Sequence, residues 1–362
     1  MHGVRSGSRI PVPASSLAKA RVWSRLCKQV AGAKRCIAVL ASIAILCAQE
    51  APPKPPLGLP PVPWPADNPY SAARVELGRY LFFDPRLSAN AMVSCATCHP
   101  PQHAFTGGEP APLGVTGKTL PRRAPTLINR AYGKVEFYDG RALTLEDQIA
   151  GPVTNPDEMG TTKDAVAEAV SKIAGYAPLF ERAFGDSKVT FDRVVKAIAS
   201  FERTILSGNS PYDRYLNGDK QALSAQAKRG QQIFERTGDC SECHSGFIFT
   251  NEKFASLGID PALQNPDLGL AVITGKHRDD GKFKVPTLRE IAHTGPYMHD
   301  RRYKTLDDVL EFYRKGGQPG PFLDSRIAPF FLDARAKADL LAFLESLNGE
   351  GWQQIKAPEK LP

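Results

Sequence analysis

Apolar residues along the chain recur three and four positions apart and almost nowhere alternate with polar ones. Asp164–Phe184 reads as one amphipathic helix. Thr190–Leu206 reads as another, with Val194, Val195, Ile198, Phe201 and Ile205 on one face and Thr190 placed to cap its start. Thr305-Leu306-Asp307-Asp308 opens a further helix in the manner of a capping box. Leu306, Val309, Leu310 and Tyr313 then line one face, and Gly316-Gly317 closes the helix. Asp333 can cap a last helix carrying Leu340, Leu341, Leu344 and Leu347 before Gly349. Thr106–Pro125 and the stretch from residue 244 to about Pro286 lack a period and read as loops, and Gly208–Gly218 reads as a polar, turn-rich link. The pattern predicts an all-α fold.

One local pattern occurs twice. Leu77-Gly78-Arg79-Tyr80-Leu81-Phe82 and Arg229-Gly230-Gln231-Gln232-Ile233-Phe234 each place a phenylalanine four residues after a glycine. Helical spacing puts the two on one face, so two similar helices are expected to present an aromatic ring in matching places.

The hydrophobic content of 42% and charged content of 23% are those of an ordinary globular protein, and 362 residues suffice for two cores. The net charge of +8 comes from one end. Residues 1–49 contain eight of the 46 basic side chains and no acidic one, so 38 basic residues face 38 acidic ones in the remainder. The charge is therefore no argument for nucleic-acid binding. The basic stretch ends at Lys34-Arg35 and is followed by the apolar run Ile37–Leu46, too short to span a bilayer. That order reads as a signal peptide over 1–48, cleaved near Ala48. Lipid attachment at Cys47 stays open, although Leu46 is a poor residue before a lipidated cysteine. Residues 49–66 are proline-rich and read as a stiff, extended tether.

Of the seven cysteines, Cys27, Cys36 and Cys47 lie in the leader. The other four form Cys95-Ala96-Thr97-Cys98-His99 and Cys240-Ser241-Glu242-Cys243-His244. Two thiols at this spacing can each add to a vinyl group of a haem, and the adjacent histidine then falls beneath the iron as its proximal ligand. A zinc site built from two Cys-x-x-Cys pairs is the competing reading, and the histidine directly after both pairs argues against it. Two covalently bound haem c groups are expected, ligated by His99 and His244, in two cytochrome c-like domains at 67–215 and 216–350 with a tail at 351–362. Covalent haem and an export signal together point to the periplasm.

Residues Val75 to Leu347 resemble the bacterial di-haem cytochrome c peroxidases and MauG proteins. The resemblance rests on Leu77-Gly78-Arg79-Tyr80-Leu81-Phe82-Phe83-Asp84, Phe137-Tyr138-Asp139-Gly140-Arg141, Glu158-Met159 and Val285-Pro286-Thr287-Leu288-Arg289. It implies a peroxide-reacting N-terminal haem and an electron-transferring C-terminal one. It also implies distal-pocket roles for Gln148 and Glu158, with Pro152 packing over the iron between them. A carboxylate at Glu158 can move a proton from one peroxide oxygen to the other, and Gln148 can hydrogen-bond the bound peroxide. Without the resemblance these two are ordinary surface polar residues. Glu136 and Glu146 read as solvated acids. Tyr138 and His299 are expected beside the haems.

The chain departs from the family pattern at several positions. Val115 stands where some members carry a histidine that caps the resting iron, so the distal site should be open; His103 is the nearest substitute, with a structural role in its loop as the other reading. Tyr313 matches the sixth ligand of the second haem, which is methionine in the peroxidases and tyrosine in MauG. A core tyrosine is the bland alternative, and Met298 would then be the fallback ligand. Tyr138 replaces the inter-haem tryptophan. The family's calcium site is matched by the carbonyls of Thr294 and Pro296, but Arg123 replaces its asparagine, so calcium is implied by the family and opposed by this residue. The expected activity is reduction of hydrogen peroxide with electrons from a small c-type cytochrome or cupredoxin. A MauG-type oxidase acting on a protein substrate and a non-enzymatic electron carrier are the alternatives, and a homodimer is compatible with all three.

Overall fold

The computed structural model describes residues 50–258 and 263–362, and the leader with its signal-peptide reading lies outside them. The principal helices are α1 (Ala72–Phe83), α2 (Leu145–Thr154), α3 (Lys163–Ser171), α4 (Ala177–Phe184) and α5 (Phe191–Glu202). They continue with α6 (Pro211–Leu216), α7 (Ala225–Gln232), α8 (Leu306–Arg314) and α9 (Ala334–Glu345). Among the described residues strands occur only as two antiparallel ribbons. β1 (Ser207–Gly208) pairs with β4 (Glu350–Gly351), and β2 (Phe254–Ser256) with β3 (Lys282–Lys284). The fold is helical, as the spacing predicts.

Two apolar clusters form by the same device. α1 crosses α5 at Gly78, where a Cβ would stand 1.9 Å from the Ala197 carbonyl oxygen. α7 crosses α9 at Gly230, where a Cβ would stand 1.9 Å from the Asp339 carbonyl oxygen. One turn further on, Phe82 packs on Phe201 at 5.2 Å between ring centroids, and Phe234 packs on Phe343 at 5.1 Å. Only glycine permits this approach of the backbones, and burying each ring contributes about 1.5–3 kcal/mol.

The capping expectations hold. The hydroxyl of Thr190 accepts from Arg193 N, Thr305 and Asp308 close a capping box, and Asp333 accepts from Ala336 N. Two expectations need correction. The helix predicted over Asp164–Phe184 is two helices, separated by a 3-10 turn at Ala174–Tyr176. Pro178 has no N–H to continue a helix through its first turn, and Pro362 packs against Gly175. The Gly208–Gly218 link is not a polar surface turn. It contains β1 and α6, and its Asp213 is buried in an ion pair with the fully buried Arg289.

The tether and the tail are both docked. The proline-rich segment is extended, but Leu57 accepts a hydrogen bond from Asn209 N at 2.7 Å and Pro60 accepts one from the Tyr132 hydroxyl at 2.7 Å. The C-terminal residues return from the second half to the first. Trp352 joins the cluster of α1 and α5, and Lys356 and Pro362 accept from Arg79 and Arg86. Among the described residues no helix is long and apolar enough to cross a membrane.

Candidate functional site

Both Cys-x-x-Cys-His motifs fold into a single helical turn followed by a loop that returns to the histidine. The His99 Nδ1 donates to the Phe105 carbonyl at 3.0 Å, and the His244 Nδ1 to the Phe249 carbonyl at 3.2 Å. Phe105 and Phe249 both hold φ at 53°, which turns their carbonyls inward. With Nδ1 engaged, each Nε2 is the ring atom left to ligate a metal. Burial pushes both imidazoles down to about 4, which keeps the neutral, ligating form. None of the four motif cysteines is in a disulfide. The donor set and its orientation fit covalent haem at both motifs.

The correspondence continues through the loops at a constant offset of 161 residues. Thr126 bonds back to the Ala104 carbonyl, and Thr287 to that of Ile248. Asn129 and Glu290 share φ near 60°, and Phe137 and Met298 share φ near 65°, at 64° and 67°. The bridges Glu136–Ala142 and Tyr297–Tyr303 then lead into α2 and α8, each capped by a threonine. This register pairs Tyr138 with His299 and Pro152 with Tyr313.

α2 carries Gln148 and Pro152 one turn apart on one face. Beyond its end the chain curls back, with Met159 N donating to the Pro152 carbonyl at 3.1 Å, and this brings Glu158 to the C-terminal end of the helix. Asn155 Nδ2 donates to Glu158 Oε1 at 2.8 Å, leaving Oε2 without a partner from that side chain. Burial raises the Glu158 carboxyl above its ordinary value, against the opposing effects of the Asn155 hydrogen bond and the Arg141 charge. Glu158 is near enough to Cys98 for its charge to add to the effect of burial, which lifts that thiol to about 11. Tyr313 is related in the same way to Cys240 and Cys243: burial raises its phenol, and the two thiols add to the shift. Glu158 thus lies near Cys98 in the first half as Tyr313 lies near Cys240 and Cys243 in the second.

Val115 donates its N–H to the Glu158 carbonyl at 2.9 Å and packs into the first apolar cluster. His103 is exposed, its ring against Gly108. Met298 occupies a left-handed turn beside His299. The Tyr138 ring meets His299 edge-on at 6.3 Å, and His299 stacks on Phe283 at 3.9 Å.

Arg123 is buried, and its Nη1 donates to the carbonyls of both Thr294 and Pro296. These are the two carbonyls that match the family's calcium ligands, so the residues present do not fit calcium.

The reading of Glu136 and Glu146 as solvated acids is wrong. Glu136 is buried against Arg130, and Glu146 is paired with Arg203 and Asn68. Their partners, Arg130, Arg203 and Asn68, are residues that the spacing of the acids alone does not reveal. Asn155, Glu202 and the Asp213–Arg289 pair were also invisible. A helical pattern marks a buried face, but it carries no signal for a buried polar partner far along the chain.

The signature of the di-haem cytochrome c peroxidase family matches residues 72–221. The methylamine utilization protein MauG of Methylorubrum extorquens is 42% identical over 296 residues, covering 80% of this chain and 82% of that one. A cytochrome c551 peroxidase of Nitrosomonas europaea is 36% identical, covering 76% and 80%. A crystal structure of a MauG-like protein associated with microbial copper homeostasis superposes with a TM-score of 0.76 at 32% identity, covering 84% of this chain and 97% of that one. This chain belongs to the di-haem cytochrome c peroxidase and MauG family.

Proposed function

We propose that the protein is a periplasmic di-haem peroxidase that reduces hydrogen peroxide at its N-terminal haem, with electrons entering through the C-terminal haem. Cys95, Cys98 and His99 would hold the first haem in a domain at 67–215, and Cys240, Cys243 and His244 the second in a domain at 216–350. Haem supplies the redox-active iron and an open coordination position for peroxide. The observation that carries the reading is Glu158, a part-buried carboxylate oriented by Asn155 where the chain curls back onto the end of the helix that carries Gln148 and Pro152. Its Oε2 takes the proton from one peroxide oxygen and returns it to the other, which leaves as water. The raised pKa makes Glu158 a better proton carrier near neutral pH than an exposed glutamate. The Gln148 amide donates to the peroxide and holds it in line.

A second reading, a MauG-type oxidase that uses peroxide to oxidise a partner protein, is favoured by one residue. Tyr313 as an anionic sixth ligand would stabilise the oxidised state of the second haem and weaken it as an acceptor from small cytochromes. Steady-state turnover of the purified holoprotein with peroxide and a reduced c-type cytochrome or cupredoxin tests the first reading. Turnover at many equivalents of donor supports it. Consumption of peroxide without donor oxidation would replace it with the second.

A further inference from the structure

The inter-haem region of this chain carries its own cation. Arg123 comes from the first half and is buried among groups of the second. Its Nη1 donates to the Thr294 and Pro296 carbonyls, and its backbone N–H donates to the His299 carbonyl at 2.7 Å. Arg301 returns the connection, with Nη1 on the Leu120 carbonyl at 3.1 Å and Nη2 on the Arg122 carbonyl at 3.3 Å. The Arg123 Nε is buried and has no acceptor among the described residues. A buried donor of this kind is costly unless a further acceptor is supplied, and a haem carboxylate has the right chemistry.

Calcium needs six to eight oxygen ligands at about 2.3–2.6 Å. Here the two available carbonyls are already engaged by a guanidinium, and residue 123 contributes no oxygen. Among the described residues no group of three or more His, Cys, Asp or Glu side chains is placed to hold a metal. A divalent ion would have to displace the Arg123 guanidinium from both carbonyls.

We propose that Arg123 replaces the inter-haem calcium ion of the family with a covalently tethered positive charge, so that this protein neither binds nor needs calcium. The electrostatic service of the ion is retained: one fixed cation bridges the Thr294 and Pro296 carbonyls and stitches the two halves together. What is lost is dependence on the metal. The inference rests on family membership and not on which substrate the protein oxidises, so a failure of turnover leaves the test readable.

The test uses the purified holoprotein and calcium itself. Calorimetric titration of EGTA-treated wild type with Ca2+ should give no binding heat, and its haem spectrum and thermal midpoint should be the same in EGTA and in Ca2+. Arg123→Asn restores an oxygen donor beside the two carbonyls and should take up one Ca2+ per chain, with a midpoint and haem spectrum that become calcium-dependent. Arg123→Lys, which keeps the charge, should remain indifferent to calcium. Calcium binding by wild type, or a change in its spectrum on EGTA treatment, overturns the proposal. So does a folded Arg123→Asn that binds no calcium. The wild-type arms decide the matter even where the asparagine variant does not fold.

Discussion

Pro152 and Tyr313 occupy the same place in the two halves of the chain, each the eighth residue after the threonine that caps its helix. One position offers a saturated ring with nothing to donate to a metal, and the other a phenol oxygen. In the repeated frame this position is one point at which the two candidate haem sites differ, beside Gln148 and Glu158, whose places in the second half are taken by Val309 and Pro319. If Tyr313 ligates the second iron, Tyr313→Phe should open that iron to cyanide and change its absorption and EPR spectra. Both attachment motifs are untouched by the substitution, so two covalent haems should remain. An unaltered spectrum with no cyanide binding would return Tyr313 to the core and pass the ligand role to Met298 or to water.

Glu158→Gln should slow the reaction with peroxide by about 10²–10⁴-fold while both haems stay attached. The acid form of Glu158 cannot accept a proton, so the wild-type rate should fall as pH drops through its pKa, which burial has raised. Asn155 opposes that rise through its hydrogen bond. Asn155→Ala should therefore move the acid limb of the rate profile upward in pH, and Glu158→Gln should abolish the limb. Stopped-flow mixing of the oxidised protein with peroxide across pH 4–8 reads both effects. A limb that stays in place in both variants would assign it to another group.

The oxidised protein should also react with peroxide without prior reduction. Val115 stands where a capping histidine would lie, and its N–H is tied to the Glu158 carbonyl. His103 is at the surface against Gly108. A Soret change on mixing the oxidised protein with peroxide is expected. If an electron must be added first, some other side chain closes the site.

What was legible in the sequence follows from how local each requirement is. Thioether attachment needs two cysteines and a histidine within five residues, so both motifs declare themselves. Helix caps are equally local, and Thr190, Thr305 and Asp333 were readable for that reason. Glycine at Gly78 and Gly230 was readable as a repeat, but the reason for it was not, because Ala197 and Asp339 approach from helices more than a hundred residues away. Glu158, Gln148 and Tyr313 stand out only through the family block around them. The Asp213–Arg289 pair spans 76 residues and joins a segment that looked like a linker to a motif that the family block alone marked. Polarity in a short turn suggests solvent, and a buried ion pair contradicts that only once the partner is known.

That pair makes a stability prediction. Arg289 donates to both Asp213 oxygens, at 2.5 and 2.8 Å, and to the Phe247 carbonyl, and it is fully buried. Removing one partner leaves an uncompensated buried charge, at a cost of about 3–5 kcal/mol. Asp213→Ala should lower the denaturation midpoint strongly. The double variant Asp213→Ala with Arg289→Leu should recover part of the loss, because no lone charge remains. Equal midpoints for the single and double variants would mean that the lost packing, and not the charge, sets the cost.

Glu202 tests the electrostatics of the first half by a different route. It lies at the end of α5, 3% exposed, and its Oε2 has no hydrogen-bond partner among the described residues. Burial pushes its carboxyl from an ordinary 4.5 up to about 8, and the negative charge of Glu136 adds to the rise, while Arg203 opposes it. The folded state therefore holds this proton more tightly than the unfolded chain does. Its contribution to stability is fully present below about pH 4.5 and is lost as the pH rises through about 8. The loss can reach ~1.4 kcal/mol for each pH unit in that window. Glu202→Gln keeps the shape of the protonated acid and removes its ability to ionise. The variant should match wild type near pH 4.5 and become progressively more stable than wild type toward pH 8, when the two are compared by denaturant unfolding. Every other titrating group is common to both proteins and cancels in the difference. A stability difference that does not grow with pH would mean that Glu202 is ionised in the folded protein, with its charge met by a partner that only the haem-loaded protein supplies.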